Sequence, residues 1–151
     1  NITPIMVNMS DIYTLAMAYQ QISLSMAKTG KGLGRLVGIV NTASFRGAVI
    51  PCELMRPEHY ERTLHENFIG PTFLIMKWLP SIKALRGRII NVGSVFGTVA
   101  LPLLQPHSAS HAAMESYMDS LRMEMSIKQV MVSQIRVGWF KEQGPPDKGM
   151  Y

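Results

Sequence analysis

A single cysteine, Cys52, stands among 151 residues, which excludes an internal disulfide and is compatible with a reducing compartment. Long apolar runs are missing too. The nearest approach, Phe68 to Met76, is interrupted by Gly70, Pro71 and Thr72 and falls far short of the ~18 residues a membrane-spanning helix needs. No membrane span is therefore expected. Clustered positive charge is also absent: 15 Lys and Arg exceed 10 Asp and Glu, yet residues such as Lys28, Arg35, Arg56 and Lys83 stand singly. Cations scattered in this way read as solvated surface, so nucleic acid is not an expected partner. No repeat, low-complexity tract or domain linker is visible. The chain opens on Asn1 with no charged-then-apolar leader, so a fragment or a processed form is expected.

What is present is a hydrophobic fraction of 47%, enough for one domain with a substantial core. Twelve methionines suit a core or a helix interface, because the unbranched side chain fills irregular gaps. Strand and helix patterns alternate, which predicts an α/β layer architecture. Ile2 to Val7 has the length of a strand. Ser10 can cap a helix whose stripe is Ile12, Leu15, Ala16, Tyr19, Ile22 and Met26, closed by Gly30. A glycine-rich turn, Lys31 to Arg35, leads to Leu36 to Val40, a continuous apolar run expected of a buried parallel strand. After a loop through Ser44 to Met55, Pro57 suits the first turn of a helix that Pro71 and Pro80 should kink or divide before Leu85. Arg88 to Val92 predicts a buried strand, His107 to Lys128 a helix, and Val130 to Val137 the last strand. Residues 1–141 are expected to form one domain and 142–151 an irregular tail, with Gly144, Pro145 and Pro146 as breakers.

The segment Gly87 to Met125, GRIINVGSVFGTVALPLLQPHSASHAAMESYMDSLRMEM, resembles the catalytic region of the short-chain dehydrogenase/reductase family. The family pattern is Gly-Arg-Ile-x-Asn-x-x-Ser followed, thirteen positions after the serine, by Tyr-x-Ala-Ser-Lys. Ser94 matches the serine, and the tyrosine and lysine positions fall on His107 and His111. Val7-Asn8-Met9-Ser10-Asp11 is similar to the end of the family's third strand, with Asn8 at its Asp. Val40-Asn41-Thr42-Ala43-Ser44 resembles Val-Asn-Asn-Ala-Gly, matching at Asn41 and Ala43. Glu66-Asn67-Phe68-Ile69-Gly70 resembles the Val-Asn-x-x-Gly that carries an asparagine of the site. Gly138-Trp139-Phe140-Lys141 resembles the Pro-Gly-Tyr-Phe-Lys of the retinol, hydroxysteroid and 3-hydroxybutyrate dehydrogenase branch. With five motifs in register, the chain is identified as a member of the family.

The resemblance implies a partial Rossmann-type doubly wound parallel sheet, from the family's third strand to its sixth, with helices on both faces. It implies NAD or NADP as cofactor and oxidoreduction of an alcohol or carbonyl in a small-molecule substrate of steroid, retinoid or hydroxy-acid type. By register, Asn67, Ser94, His107 and His111 take the catalytic positions, and Asn8, Asn41, Ala43 and Gly138 the cofactor-binding ones. It also implies a homodimer through the helices at 57–85 and 107–128, and an intracellular setting in cytoplasm, mitochondrion or endoplasmic reticulum. The glycine-rich Gly-x-x-x-Gly-x-Gly turn that would cradle a pyrophosphate has no counterpart in strand-to-helix context. Gly30-Lys31-Gly32-Leu33-Gly34 lies after a helix and before a strand.

In the family, tyrosine carries the hydroxyl proton and lysine lowers its pKa. His107 can still shuttle a proton, but His111 is shorter than lysine and mostly neutral at pH 7. Catalysis is accordingly expected to be impaired. A non-catalytic interaction or ligand-binding protein that kept the fold is the alternative. Other readings stay open at the same residues. His107 can cap its helix, Asn67 can be a buried polar residue bonded to backbone, and Ser94 can be a turn residue. His107, His111 and Glu115 form a His-x3-His-x3-Glu ladder that lacks the carboxylate base of zinc helices, and no metal is expected.

Overall fold

The computed structural model describes residues 2–28 and 36–138. Helix α1 spans Ile12–Lys28 and is followed by strand β1, Gly38–Asn41. A short 3-10 turn at Cys52–Leu54 precedes α2, Pro57–Leu64, then a π-helical turn at His65–Ile69 and α3, Gly70–Ala84. Strand β2, Arg88–Ser94, helix α4, Gln105–Ser126, and strand β3, Met131–Val137, complete the order. The glycine-rich stretch 30–34 and the tail 142–151 lie outside the described residues.

The predicted first strand is not one. Ile2 to Val7 pairs with nothing among the described residues, and Ile2 and Met6 are almost fully exposed. Its apolar residues have strand length, but a strand needs a neighbour to bond with. The start of α1 also differs from expectation. The Asp11 carboxylate accepts the Tyr13 N–H at 2.9 Å and so caps the helix, whereas the Ser10 hydroxyl donates to the Glu66 carboxylate at 2.8 Å. Leu15 and Ala18 are the buried residues of this helix.

The sheet is parallel in the order β1-β2-β3, with Ile39 opposite Ile89 and Ile89 opposite Val132. Strand β2 alternates: Ile89, Asn91 and Gly93 are buried while Ile90, Val92 and Ser94 are half-buried. The buried side meets α3 and α4, where Ile75 and Ile82 join Met114, Met118, Leu121 and Met125 around Ile89 and Val132. On the opposite side Val40 is 63% and Ile135 48% exposed. The expected cover of helices on both faces is therefore not made by the described residues. The cause is topological. Right-handed crossovers that advance in one direction along a sheet put every helix on the same side, and this strand order never reverses.

Between α2 and α3 the predicted interruption occurs, at the π turn and not at Pro80. Pro71 has no N–H to return to the Asn67 carbonyl, and the ladder widens so that the Gly70 N–H reaches His65 O, five residues back. Pro80 is exposed, where solvent can take the carbonyl it leaves free, and α3 runs through it.

The one-sided core makes a contrast measurable by urea unfolding. Ile89→Ala should cost about 2–5 kcal/mol through loss of buried contacts, and Ile135→Ala no more than about 0.5 kcal/mol. Equal losses would show that the second face is covered.

Candidate active site

The candidate residues gather at the carboxyl ends of the parallel strands, where α/β sheets characteristically place their sites. Asn67, carried on the π turn and 2% exposed, is the centre of a hydrogen-bonded clamp. Its Oδ1 accepts the Phe45 N–H at 2.6 Å. Its Nδ2 donates to Phe45 O at 2.8 Å and to the Ser110 hydroxyl at 2.9 Å. Ser110 in turn donates to His107 O at 2.9 Å. The carboxamide thus binds the loop after β1 to the first turns of α4, in the backbone-bonded role that a buried polar residue would have.

His107 and His111 are one helical turn apart on α4 and both buried, with ring centroids 4.4 Å apart. His107 Nδ1 lies 3.4 Å from Phe45 O, so the tautomer protonated at Nδ1 donates there. His111 Nε2 lies 3.3 Å from the exposed Ser44 hydroxyl. Burial lowers the pKa of His107, with the Phe45 hydrogen bond opposing and Arg46 adding to the effect. Burial, and then the neighbouring His107, pull His111 down to about 4, against a smaller upward pull from Glu115. Both rings are neutral near pH 7. The pair can accept a proton but supplies no fixed positive charge.

Ser94 stands apart from this network. Its hydroxyl accepts the Phe96 N–H at 3.2 Å and caps the short turn after β2, the turn-residue role. Asn8 is occupied at the start of α1, where its Oδ1 accepts the Ser10 N–H at 3.0 Å and its carbonyl the Asp11 N–H at 3.1 Å. Asn41 Oδ1 accepts the Ala43 N–H at 3.2 Å, and its Nδ2 donates to Asn91 Oδ1 at 2.5 Å. Asn91 continues to Gln134 Oε1 at 2.8 Å. This amide ladder crosses all three strands in register, and sequence reasoning missed it. Its signal was a lone asparagine in the apolar run of β2. Gly138 has open space where a Cβ would stand. Glu115, the third rung of the histidine ladder, instead pairs with Arg136 and accepts from Thr98 at 3.1 Å. Among the described residues no three His, Cys, Asp or Glu gather as a metal-binding group.

The family's short chain dehydrogenase model matches residues 9–144. Retinol dehydrogenase 5 of Mus musculus is 32% identical over 122 residues, 81% of this chain and 38% of that protein. Retinol dehydrogenase 16 of Homo sapiens is 35% identical over 106 residues, 70% of this chain and 33% of that one. Human 11-beta-hydroxysteroid dehydrogenase type 2 is 33% identical over 116 residues, 77% of this chain and 29% of that one. The chain therefore spans only about a third of the curated relatives it matches. A short-chain dehydrogenase from Streptomyces avermitilis superposes with a TM-score of 0.79 at 21% identity, covering 91% of this chain and 48% of that one. One from Burkholderia cenocepacia, in complex with NADP, gives 0.77 at 24%, covering 97% and 59%. This chain belongs to the short-chain dehydrogenase/reductase family, and its parallel sheet with packed helices is the Rossmann-type fold of that family.

A nicotinamide dinucleotide fits the described residues poorly. The Asn8 and Asn41 side chains are spent on local backbone and the amide ladder. The lysine position holds a neutral ring bonded to Ser44.

Acid should destabilise the fold through His111. A pKa held below the ordinary 6.5, near 4, means that the unfolded chain binds more protons between those values. Stability from this group is then full above pH 6.5 and lost as pH falls through about 4, a change of roughly 3 kcal/mol. Urea titrations across that window should show the slope in the parent and a flatter one in His111→Gln. An unchanged slope would clear His111 of the effect.

Proposed function

We propose that this chain is a short-chain dehydrogenase/reductase-type protein of the retinol and hydroxysteroid branch whose site is catalytically impaired. The family chemistry is NAD- or NADP-dependent oxidoreduction of an alcohol or carbonyl in a small-molecule substrate. The assigned positions are Asn67, Ser94, His107 and His111 for catalysis, and Asn8, Asn41, Ala43 and Gly138 for the cofactor. Relatives named retinol and 11-beta-hydroxysteroid dehydrogenases support the branch, and structures described as holding NADH or NADP support the cofactor class.

The observation that carries impairment is the state of His111. A lysine at this position would hold a permanent cation beside the acid, whereas the ring here is buried, neutral and bonded to Ser44. Without that field, a neighbouring acid keeps a higher pKa and the ribose loses a donor. Loss of a positioned general acid forfeits a factor of roughly 100 to 10,000 in rate. A homodimer through the helices at 57–85 and 107–128 belongs to the same proposal. Its check is sedimentation, with monomer alone counting against it.

The test is a titration of the chain with NADH and NADPH by fluorescence, followed by turnover assays with retinol and a hydroxysteroid. No saturable binding in the micromolar range and no substrate-dependent absorbance change are expected. Saturable binding with turnover would sink the impaired reading. In a longer native form, His107→Tyr with His111→Lys should raise the rate by roughly 100-fold or more. No gain would place the defect elsewhere, with Ser44 first to examine.

A further inference from the structure

A hydroxyl and an imidazole from two separate elements face each other at the carboxyl ends of the strands. Ser44, in the loop after β1, is exposed, and its Oγ lies 3.3 Å from His111 Nε2 on α4. Both groups are held. Asn67 bonds the N–H and the C=O of Phe45, the residue after Ser44, at 2.6 and 2.8 Å, and so fixes the loop that carries the hydroxyl. The His111 ring is 3% exposed, stands on a 22-residue helix and packs edge-on against His107. When Nδ1 carries the ring proton, Nε2 is the acceptor for the Ser44 O–H. An exposed hydroxyl whose proton faces a neutral imidazole has the arrangement of an activated nucleophile.

We propose that Ser44 and His111 form a nucleophile–base dyad that cleaves aryl esters, an acyl-transfer activity separate from oxidoreduction. In the first step Ser44 Oγ attacks the ester carbonyl carbon and its proton passes to His111 Nε2. The bond from that carbon to the phenolic oxygen breaks, the phenolate leaves with the electron pair, and His111 releases the proton to solvent. In the second step water attacks the acyl carbon while His111 takes its proton. The bond to Ser44 Oγ breaks, the proton returns to that oxygen, and the carboxylic acid departs. Two features restrict the substrate to esters with a stable leaving anion. The Phe45 N–H, which follows the nucleophile in the chain, is given to Asn67 and is not free to bind the acyl oxygen. Glu115, one helical turn beyond His111, is committed to Arg136 and Thr98 and does not orient the ring as the acid of a triad does.

The probe is p-nitrophenyl acetate, added to the 151-residue chain, with phenolate release followed by absorbance and the acetyl group located by peptide mass spectrometry. Saturable turnover with acetyl on Ser44 is the expected result. Ser44→Ala and His111→Gln should each lower kcat/KM by roughly 100-fold. Ser44 is exposed, so its alanine variant should keep the far-UV circular dichroism of the parent and decides the matter alone if His111→Gln unfolds. The pH profile separates the dyad from surface histidines. His107 and Glu115 act on the His111 ring from its own helix, Arg46 acts on His107 from the loop, and Arg136 pairs with Glu115 from β3. With burial and His107 holding His111 near 4, the rate should stay level as pH falls through 6.5 and drop only towards about 4. A rate that falls through 6.5 belongs to an ordinary imidazole and overturns the proposal. So do acetylation only at other residues, a Ser44→Ala variant as active as the parent, and no turnover at all.

Discussion

The carboxamide of Asn67 is the interaction on which the geometry of the site depends. It satisfies both the N–H and the C=O of Phe45 and reaches Ser110 on α4, all from a position that is 2% exposed. An unpaired buried backbone group costs about 1–3 kcal/mol, so a side chain that answers both groups at one residue fixes where the loop runs. That loop sets the neighbours of the two histidines, since Phe45 O meets His107 and the Ser44 hydroxyl meets His111. The clamp works because the helix before it is not regular. The wider π turn at His65–Ile69 places Asn67 where Pro71 cannot bond back. A local defect in one helix thus holds a loop and a second helix in register.

A second constraint comes from the direction of winding. With all described crossovers on one side, the sheet has a dry face toward α3 and α4 and an open one. The amide ladder Asn41–Asn91–Gln134 belongs to the dry face and runs through positions opposite one another in the strands. Asn91 is 1% exposed, and its amide finds a partner in each neighbouring strand, so the polar group is buried with its bonds made. The ladder ties the strand ends together beneath the loops that bear the site. The same residues that stiffen this end also consume the amides a ligand would otherwise find.

Legibility in the sequence followed the kind of force involved. Strands β2 and β3 and helix α4 were readable to within a few residues, because apolar spacing and burial agree there. Residues Ile2 to Val7 read as a strand from composition alone, but pairing is a property of neighbours and no apolar run can report whether one exists. The helix break was expected from Pro71, yet its form was not: only the bond from Gly70 to His65 shows that the ladder widens. Register placed Asn67, His107 and His111 close together: Asn67 and His107 are linked through Phe45 and Ser110, and His111 meets the adjacent Ser44. It did not tell that Ser94 would cap a turn outside that network. Nor could it show that Asn41 would be spent across the sheet. Hydrogen-bond partners of polar side chains depend on tertiary distances of a few ångströms, which spacing along the chain does not encode.

Fold and chemistry therefore rest on different residues here. Asn67, Asn91 and the core of α4 use hydrogen bonds and apolar contact that do not depend on charge. Proton chemistry needs the opposite, a fixed charge held at short range in a low-dielectric pocket. Two imidazoles 4.4 Å apart in a buried site resist becoming cations, because desolvation and mutual repulsion act in the same direction. The lowest-energy state is a neutral pair, with one ring turned to a backbone carbonyl and the other to a serine. Packing that seats the pair well is therefore also packing that keeps it uncharged.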